Sequence, residues 1–441
     1  MIKMAKIGGN FPLTRAARKK CLDEIKKGSP VSSTKVPGKG VRLVYRIPLQ
    51  CLSYNPYNTR FLAQAKTLER RFGCKLSDEN IEHVQEIEKF IWNEKIAQNK
   101  STIDSLINHG QLQPGVVTAD GIILAGNRRF RLLNEIIRNP DKYESPRNTN
   151  IALQYFEAVI LDNEQLSEKD IIDYESFYQF GIEDKVEYDP IQKYIAAFTQ
   201  KEMGFTTTQI ANHFMSITKG NKKVVEKWLE VYDYMDEYLQ YIEEEGIYTA
   251  LKGREEAFIN LCNLIKGYKT GRAGNNIWAY NDMDLNDLKR IFYDYIRLNT
   301  PTHDFRIFKD IFSDEEQWKR FRDNEQRIFE DENNHIKSFD DYRKKYPELE
   351  EIEISKIRHN DYKSKFEKEL NRLYGIENGR IQSAKAQELP LDILKTIQHK
   401  LSKLESEISL NEDNAIYESE PFLDAIRDIQ KRIGRIKQKV D

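Results

Sequence analysis

Residues 125–136, AGNRRFRLLNEI, decide how this chain is read. The apolar run Ile122–Ala125 predicts a strand that ends in Gly126, and a helix then opens on Asn127, Arg128, Arg129 and Arg131. Leu132, Leu133 and Ile136 supply the buried stripe of that helix. A helix start already carries positive partial charge and N–H groups without carbonyl partners. Three arginines there oppose the dipole, at a cost of roughly a few tenths of a kcal/mol each. An anion resolves that conflict, because phosphate oxygens accept from both the N–H groups and the guanidinium forks. The plain alternative is a solvated basic turn, with Glu135 one turn after Arg131.

Working outward, VRLVYRIPL (41–49) predicts a strand with Val41, Leu43, Tyr45 and Ile47 on one face. NPYNTR (55–60) reads as a turn, and 61–100 as a charged helical insertion. STIDSLINHG (101–110) predicts a short helix from an N-cap at Ser101 to a stop at Gly110. GVVT and IILA flank a turn at Ala119–Gly121, the arginine-led helix must end before Pro140, and 151–161 predicts a further strand. Beyond 165 the spacing is helical almost throughout. The expected fold class is therefore an α+β N-terminal domain followed by a mostly α-helical remainder with a C-terminal heptad region.

Composition narrows the function classes. The 69 basic and 71 acidic residues leave a net charge of −2, so any basic footprint must be local. Residues 1–46 carry twelve Lys/Arg against Asp23 and Glu24, and with their Gly, Ser and Pro they read as a basic flexible arm over 1–40. Residues 161–190 run the other way, with ten acidic residues against Lys169 and Lys185. No stretch reaches the ~18 apolar residues of a membrane span, and MIKMAKIGGNF lacks the apolar centre of a signal peptide. Cys21, Cys51, Cys74 and Cys262 are far apart with no CxxC, so neither a disulfide framework nor a zinc site is expected. A cytoplasmic location follows as the expectation.

Three segments taken together then carry a resemblance: NPYNTR, SLINHGQLQP with VVTADG, and AGNRRFRL. In order and context they resemble the ParB family of bacterial chromosome- and plasmid-partitioning proteins, whose pattern is roughly NPyqPR, SIxxxGxxQP, a strand pair and GERRxRA. Arg60 matches the first element, Ser105, Gly110, Gln113 and Pro114 the second, and Gly126, Arg128, Arg129 and Arg131 the third. The resemblance covers about 41–235 and implies a ParB/sulfiredoxin-like domain over 41–165 that binds a nucleotide, CTP in the partition proteins. Arg60, Gly126, Asn127, Arg128, Arg129 and Arg131 would hold it. Asn127 stands where the family has glutamate and sulfiredoxin its nucleophilic cysteine, so sulfiredoxin chemistry is set aside. A further family element, ENxxR, finds its nearest counterpart in YESFYQFGIEDKVEYDP (174–190), where Glu175, with Asp173 nearby, would hold Mg2+ and serve any nucleoside triphosphatase activity.

MGFTTTQIANHFMSITKGNKKVVEKWLEVYDYM (203–235) predicts a helix-turn-helix within 166–240, with Lys222, Lys223 and Lys227 outside as contacts for double-stranded DNA. The partition family also places its DNA-reading helices here, and a nucleoid-associated location follows. Residues 241–389 read as a helical domain of unknown role, open to a protein partner. In 390–441, Leu394, Ile397, Leu401, Leu404 and Ile408, and then Phe422, Ile426, Ile429, Ile433, Ile436 and Val440, form two heptad seams. They close on each other as a hairpin or zip a homodimer. Three functions stand open: a nucleotide-switched DNA-binding protein, a DNA-binding regulator or adaptor on an inert scaffold, and a ParB-like nuclease or phosphotransferase of a mobile element or defence system.

Overall fold

The computed structural model describes residues 13–36, 39–143, 153–161, 167–181, 190–270, 278–330, 336–411 and 414–440. The expected arm is folded where it is described. Helix α1 (Arg15–Lys26) is capped by Thr14 Oγ1, and strand β1 (Ser32–Val36) starts the sheet. The anchor is Arg18, fully buried, which ion-pairs with buried Asp78 and donates to the carbonyl of Asp120 at 2.9 Å. A basic charge count does not reveal that one of those cations has a buried carboxylate waiting 60 residues on. Residues 1–12 of the arm lie outside the described residues.

Strands β2 (Gly40–Pro48), β3 (Ser53–Tyr54), β4 (Gly115–Val117), β5 (Ile122–Ala125) and β6 (Tyr155–Ile160) complete a six-stranded mixed sheet in the order β1-β2-β6-β4-β5-β3. The β2–β6 and β4–β5 pairs are antiparallel, whereas β4–β6 and β3–β5 are parallel. Both faces of the sheet are covered. Ile47, Tyr54, Ile123, Phe156 and Ala158 pack in one apolar cluster, and Val44, Ile122, Leu124 and Val159 in another. The alternation expected for β2 is therefore wrong: Val44 and Ile47 are buried while Val41 and Leu43 are exposed. Among the described residues the first half of β2 pairs only with the edge strand β1, and no layer covers Val41 or Leu43.

The charged insertion forms helices α2 (Leu62–Phe72), α3 (Ile81–Glu94) and α4 (Ile96–His109). Ser101 is interior to α4 and donates to the Gln98 carbonyl, which corrects the N-cap assignment; Gly110, at φ +71°, ends the helix as expected. Helix α5 (Asn127–Arg138) stops before Pro140. Thereafter the chain is mostly helical: α6 (Glu168–Gly181), α7 (Pro190–Glu202), α8 (Thr207–His213), α9 (Met215–Thr218), α10 (Lys222–Tyr241), α11 (Glu255–Lys269), α12 (Asp282–Arg297), α13 (Ile307–Ser313), α14 (Glu315–Phe329), α15 (Phe339–Lys345), α16 (Glu351–Leu410) and α17 (Glu420–Val440). Residues 1–370 form one compact unit and 371–441 another.

Two boundaries differ from expectation. Residues 241–370 belong to the same compact unit as the sheet, and α16 runs through Pro390 without ending there. A proline inside a helix removes one N–H and crowds the carbonyl four residues earlier, here Ala386, which is exposed and open to water. Within the second unit Ile397, Leu401, Leu404, Ile408, Phe422 and Ile426 are half-buried, but Leu394, Ile429, Ile433, Ile436 and Val440 are exposed. Among the described residues, no helix is long and apolar enough to cross a membrane.

Cys21 of α1 and Cys51, in the turn after β2, form a disulfide across 30 residues, contrary to the reading of the cysteines as unpaired. Sequence separation alone hid a pair that the fold brings to a Cα–Cα distance of 6.2 Å. Closing a loop of that length stabilises a domain by about 3.5 kcal/mol. Cys51→Ser should lower the unfolding free energy read from urea titration by that amount under oxidising conditions, and excess reductant should bring wild type down to the variant.

Candidate nucleotide site and helix-turn-helix

Gly126 opens α5 with φ +103°. A Cβ there would lie 2.8 Å from the Phe156 ring, so only glycine fits the close approach of this turn to β6. Helix α5 begins with no capping side chain and no acidic residue in its first turn. Asn127 turns inward, donating from Nδ2 to the Ile123 carbonyl at 3.0 Å and accepting at Oδ1 from the Asn55 backbone at 3.4 Å. Phe130 locks the helix onto the sheet through edge contacts with Tyr54 and Phe156.

The three arginines have separate surroundings. Arg128 reaches the start of α4 and donates to Asn99 Oδ1 at 3.1 Å and, at 3.4 Å, to Gln98 Oε1 and the Lys95 carbonyl. Arg129 is half-buried, with its Nη2 folded back toward Gly126. Arg131 pairs with Glu135 at 3.1 Å and lies 4.9 Å over the Trp92 ring, so much of its charge is matched within the fold. Arg60 belongs to the 3-10 turn Thr59–Phe61, directly before α2; its side chain lies outside the described residues.

Glu175 is fully buried and binds the 55–59 loop rather than facing solvent. Asn55 Nδ2 donates to Oε2 and the Thr59 backbone N–H to Oε1, both at 2.9 Å. Asp173, two residues earlier on α6, is half-exposed and pairs with His213 Nε2 at 2.6 Å. The two carboxylates thus serve different partners and do not form the joint metal site considered from sequence. Among the described residues no group of three or more His, Cys, Asp or Glu is arranged to hold a metal ion. A magnesium ion here would draw on Glu175 and on the oxygens of its own phosphate ligand. Residues 182–189 of the acidic segment lie outside the described residues.

Helix α8 is capped by a Thr206–Gln209 capping box, and Phe214 packs edge-on to Trp228 of α10 at 5.4 Å. The expected long turn contains the single-turn helix α9, then Lys219 and Gly220 at φ +53° and +75°. Asn221 caps α10 by accepting from the Lys223 N–H, which leaves Lys222, Lys223 and Lys227 exposed on its first two turns. Of these, Lys222 lies 4.0 Å from Glu226. His213 closes α8 with Nδ1 on Gln200 Oε1 at 2.7 Å, so α6 is pinned to the helix-turn-helix through Asp173 and to the motif loop through Glu175.

Asn55 and Thr59 were missed as site residues, although both sit inside NPYNTR; only the arginine of that motif drew attention. Comparison with known proteins adds no relative: no family model, no curated protein and no solved structure matches this chain. Glu175 should behave as a positioning residue. Glu175→Ala strands two buried donors, each worth about 1–3 kcal/mol, so the unfolding free energy from urea titration should fall by about 2–6 kcal/mol. Glu175→Gln, which keeps one acceptor oxygen, should recover part of that loss. Equal stability of all three proteins would dissociate the carboxylate from the loop.

Proposed function

We propose that this chain is a ParB-like DNA-binding protein whose N-terminal α+β domain takes a nucleoside triphosphate, CTP by family resemblance, with Mg2+. The bound nucleotide alters how the helix-turn-helix holds double-stranded DNA. One observation carries this reading: the 55–59 loop, the uncapped start of α5 and Glu175 of α6 meet at one place through Asn55. These are the segments whose order in sequence resembles the family. The donor set suits a triphosphate, since Arg128 and Arg129 bracket the first turn and Gly126 permits a close backbone approach.

Helix α6 supports a coupling role. It touches the loop with one carboxylate and the helix-turn-helix with another, so a shift of the loop on phosphate binding has a rigid path to His213. The exposed half of the C-terminal seams, Ile429 to Val440, suits a second copy of the chain, and a homodimer would present two α10 helices to DNA. A nuclease or phosphotransferase reading is less well supported, because it needs clustered carboxylates and Asp173 and Glu175 are engaged separately. The regulator or adaptor reading differs from the lead only in leaving the α5 turn without a ligand, and the same measurements decide between them.

Calorimetry with each nucleoside triphosphate and magnesium, with and without duplex DNA, tests the nucleotide. Arg129→Ala removes a charge-assisted contact and should weaken binding roughly ten- to a hundredfold. Wild-type affinity in that variant would reduce the arginine turn to a solvated helix start.

DNA binding is read separately from salt titrations. The double substitution Lys222→Ala and Lys223→Ala should weaken duplex affinity and flatten the logarithmic salt slope by about one unit per lost phosphate contact. An unchanged slope would remove α10 from the interface.

A further inference from the structure

Away from the α5 turn, the 1–370 unit contains a cavity of about 530 Å³. Its walls come from the start of α2 (Gln64), from α7 (Gln192), from the Tyr248–Arg254 segment before α11, and from the first turns of α16. A volume of that order suits a ligand of nucleotide size. Among the described residues three cations line it, Lys252, Arg254 and Lys356, and no acidic side chain does.

The charge is uncompensated. Among the described residues, none of the three cations has a carboxylate at ion-pair distance. Arg254 donates only to neutral groups: Asn299 Oδ1 at 3.0 Å, the Tyr238 hydroxyl at 2.7 Å and His359 Nε2 at 3.1 Å. The nearby acids are committed elsewhere, Glu255 to Lys193 at 2.6 Å and buried Glu244 to Arg358 at 3.0 Å. Arg297 adds a further buried guanidinium, stacked 4.1 Å from the Tyr362 ring, and its Nη2 has no hydrogen-bond partner among the described residues. His359 in the cavity wall registers the result: burial, then Arg254, Arg297 and Lys363, push its imidazole down to about 3, so it stays neutral and accepts from Arg254. Arg254 is partly buried, whereas Lys252 and Lys356 reach in from the exposed rim; together, without counter-charge, they raise the local potential that an arriving anion lowers.

We propose that this cavity binds a small phosphate ester of nucleotide size, with Lys252, Arg254 and Lys356 on the phosphate and the Gln64 Nε2 and the Asn360 amide available to its polar remainder, while Gln192, bonded to Ala63 and Gln64, holds Gln64 in place. The site is distinct from the α5 turn, none of whose arginines lines it. It does not depend on the function proposed above.

The test uses the full chain and two probes, inorganic pyrophosphate and ADP, followed by calorimetry at fixed ionic strength. Arg129→Ala, in which the α5 turn is weakened, should still bind both probes and is the background for the variants below, which separates this cavity from the α5 turn. The double variant Lys252→Ala/Lys356→Ala should bind at least tenfold more weakly, while Lys252→Arg/Lys356→Arg retains affinity. Tighter binding of ADP than pyrophosphate assigns the amides to the nucleoside, and the reverse confines recognition to phosphate. Absence of binding in wild type, loss of binding in Arg129→Ala alone, or unchanged affinity in the alanine double variant would each overturn the proposal.

Discussion

The buried carboxylate of Glu175 is the constraint on which the arrangement of this molecule turns. A charge with no solvent exposure is tolerable only when hydrogen-bond donors converge on it. Here the donors come from a loop more than 110 residues earlier, through Asn55 and Thr59. Because Asn55 also donates its backbone N–H to Asn127, the same loop ties α6 to the mouth of α5. Moving any one of these three segments leaves a buried polar group without its partner, so they hold one another in register. Hydrophobic burial alone, being non-directional, would not impose that register.

A second set of buried polar contacts works the same way at the sheet's edge. Arg18 and Asp78 are both inaccessible to solvent, and Asp78 also accepts from Arg15 at 2.7 Å. The pair joins α1 to the turn before α3, while the Cys21–Cys51 bond joins the same helix to the end of β2. A segment whose composition resembles a mobile arm is thereby made part of the domain. Glu88 plays the matching role on the other side, receiving both Arg138 nitrogens at 2.6 and 2.9 Å and the Tyr54 hydroxyl at 3.0 Å.

Local rules in the sequence foretold much of this. The strand-to-helix turn at Gly126, the stops at Gly110 and Pro140, the strands around 41–48, 115–125 and 155–160 and the two helices around Gly220 all follow from short-range chemistry. What stayed illegible depends on distant partners. Nothing near Ser101 says that α4 continues back to Ile96, since its true start lies in a run of ordinary helix formers. Val41 and Leu43 read as core because alternation reports a strand and not whether a layer covers it. Glu175 was legible as a site residue, but its loop contacts were not, because a carboxylate two residues from another suggests a shared ion until the helix turns one inward and the other toward His213.

The distribution of positive charge shows why net charge is a poor guide to this chain. An overall balance of −2 is compatible with arginines of quite different meaning. Arg131 and Arg138 have carboxylate partners and stacking or hydrogen-bonding neighbours that make them structural. Arg254 sits instead among neutral acceptors, in a hollow where, among the described residues, Lys252 and Lys356 also have no counter-charge at ion-pair distance. The distinction lies in the partner atoms and cannot be read from residue type or from spacing along the chain. Cations that have carboxylate partners stabilise the fold whether or not anything is bound. Those that face only neutral acceptors raise the local potential, and an arriving anion lowers it without breaking an existing ion pair. On that criterion the region between α2, α7 and the start of α16 is poised for a ligand in a way that Arg131, for all its place in the most informative motif of the sequence, is not.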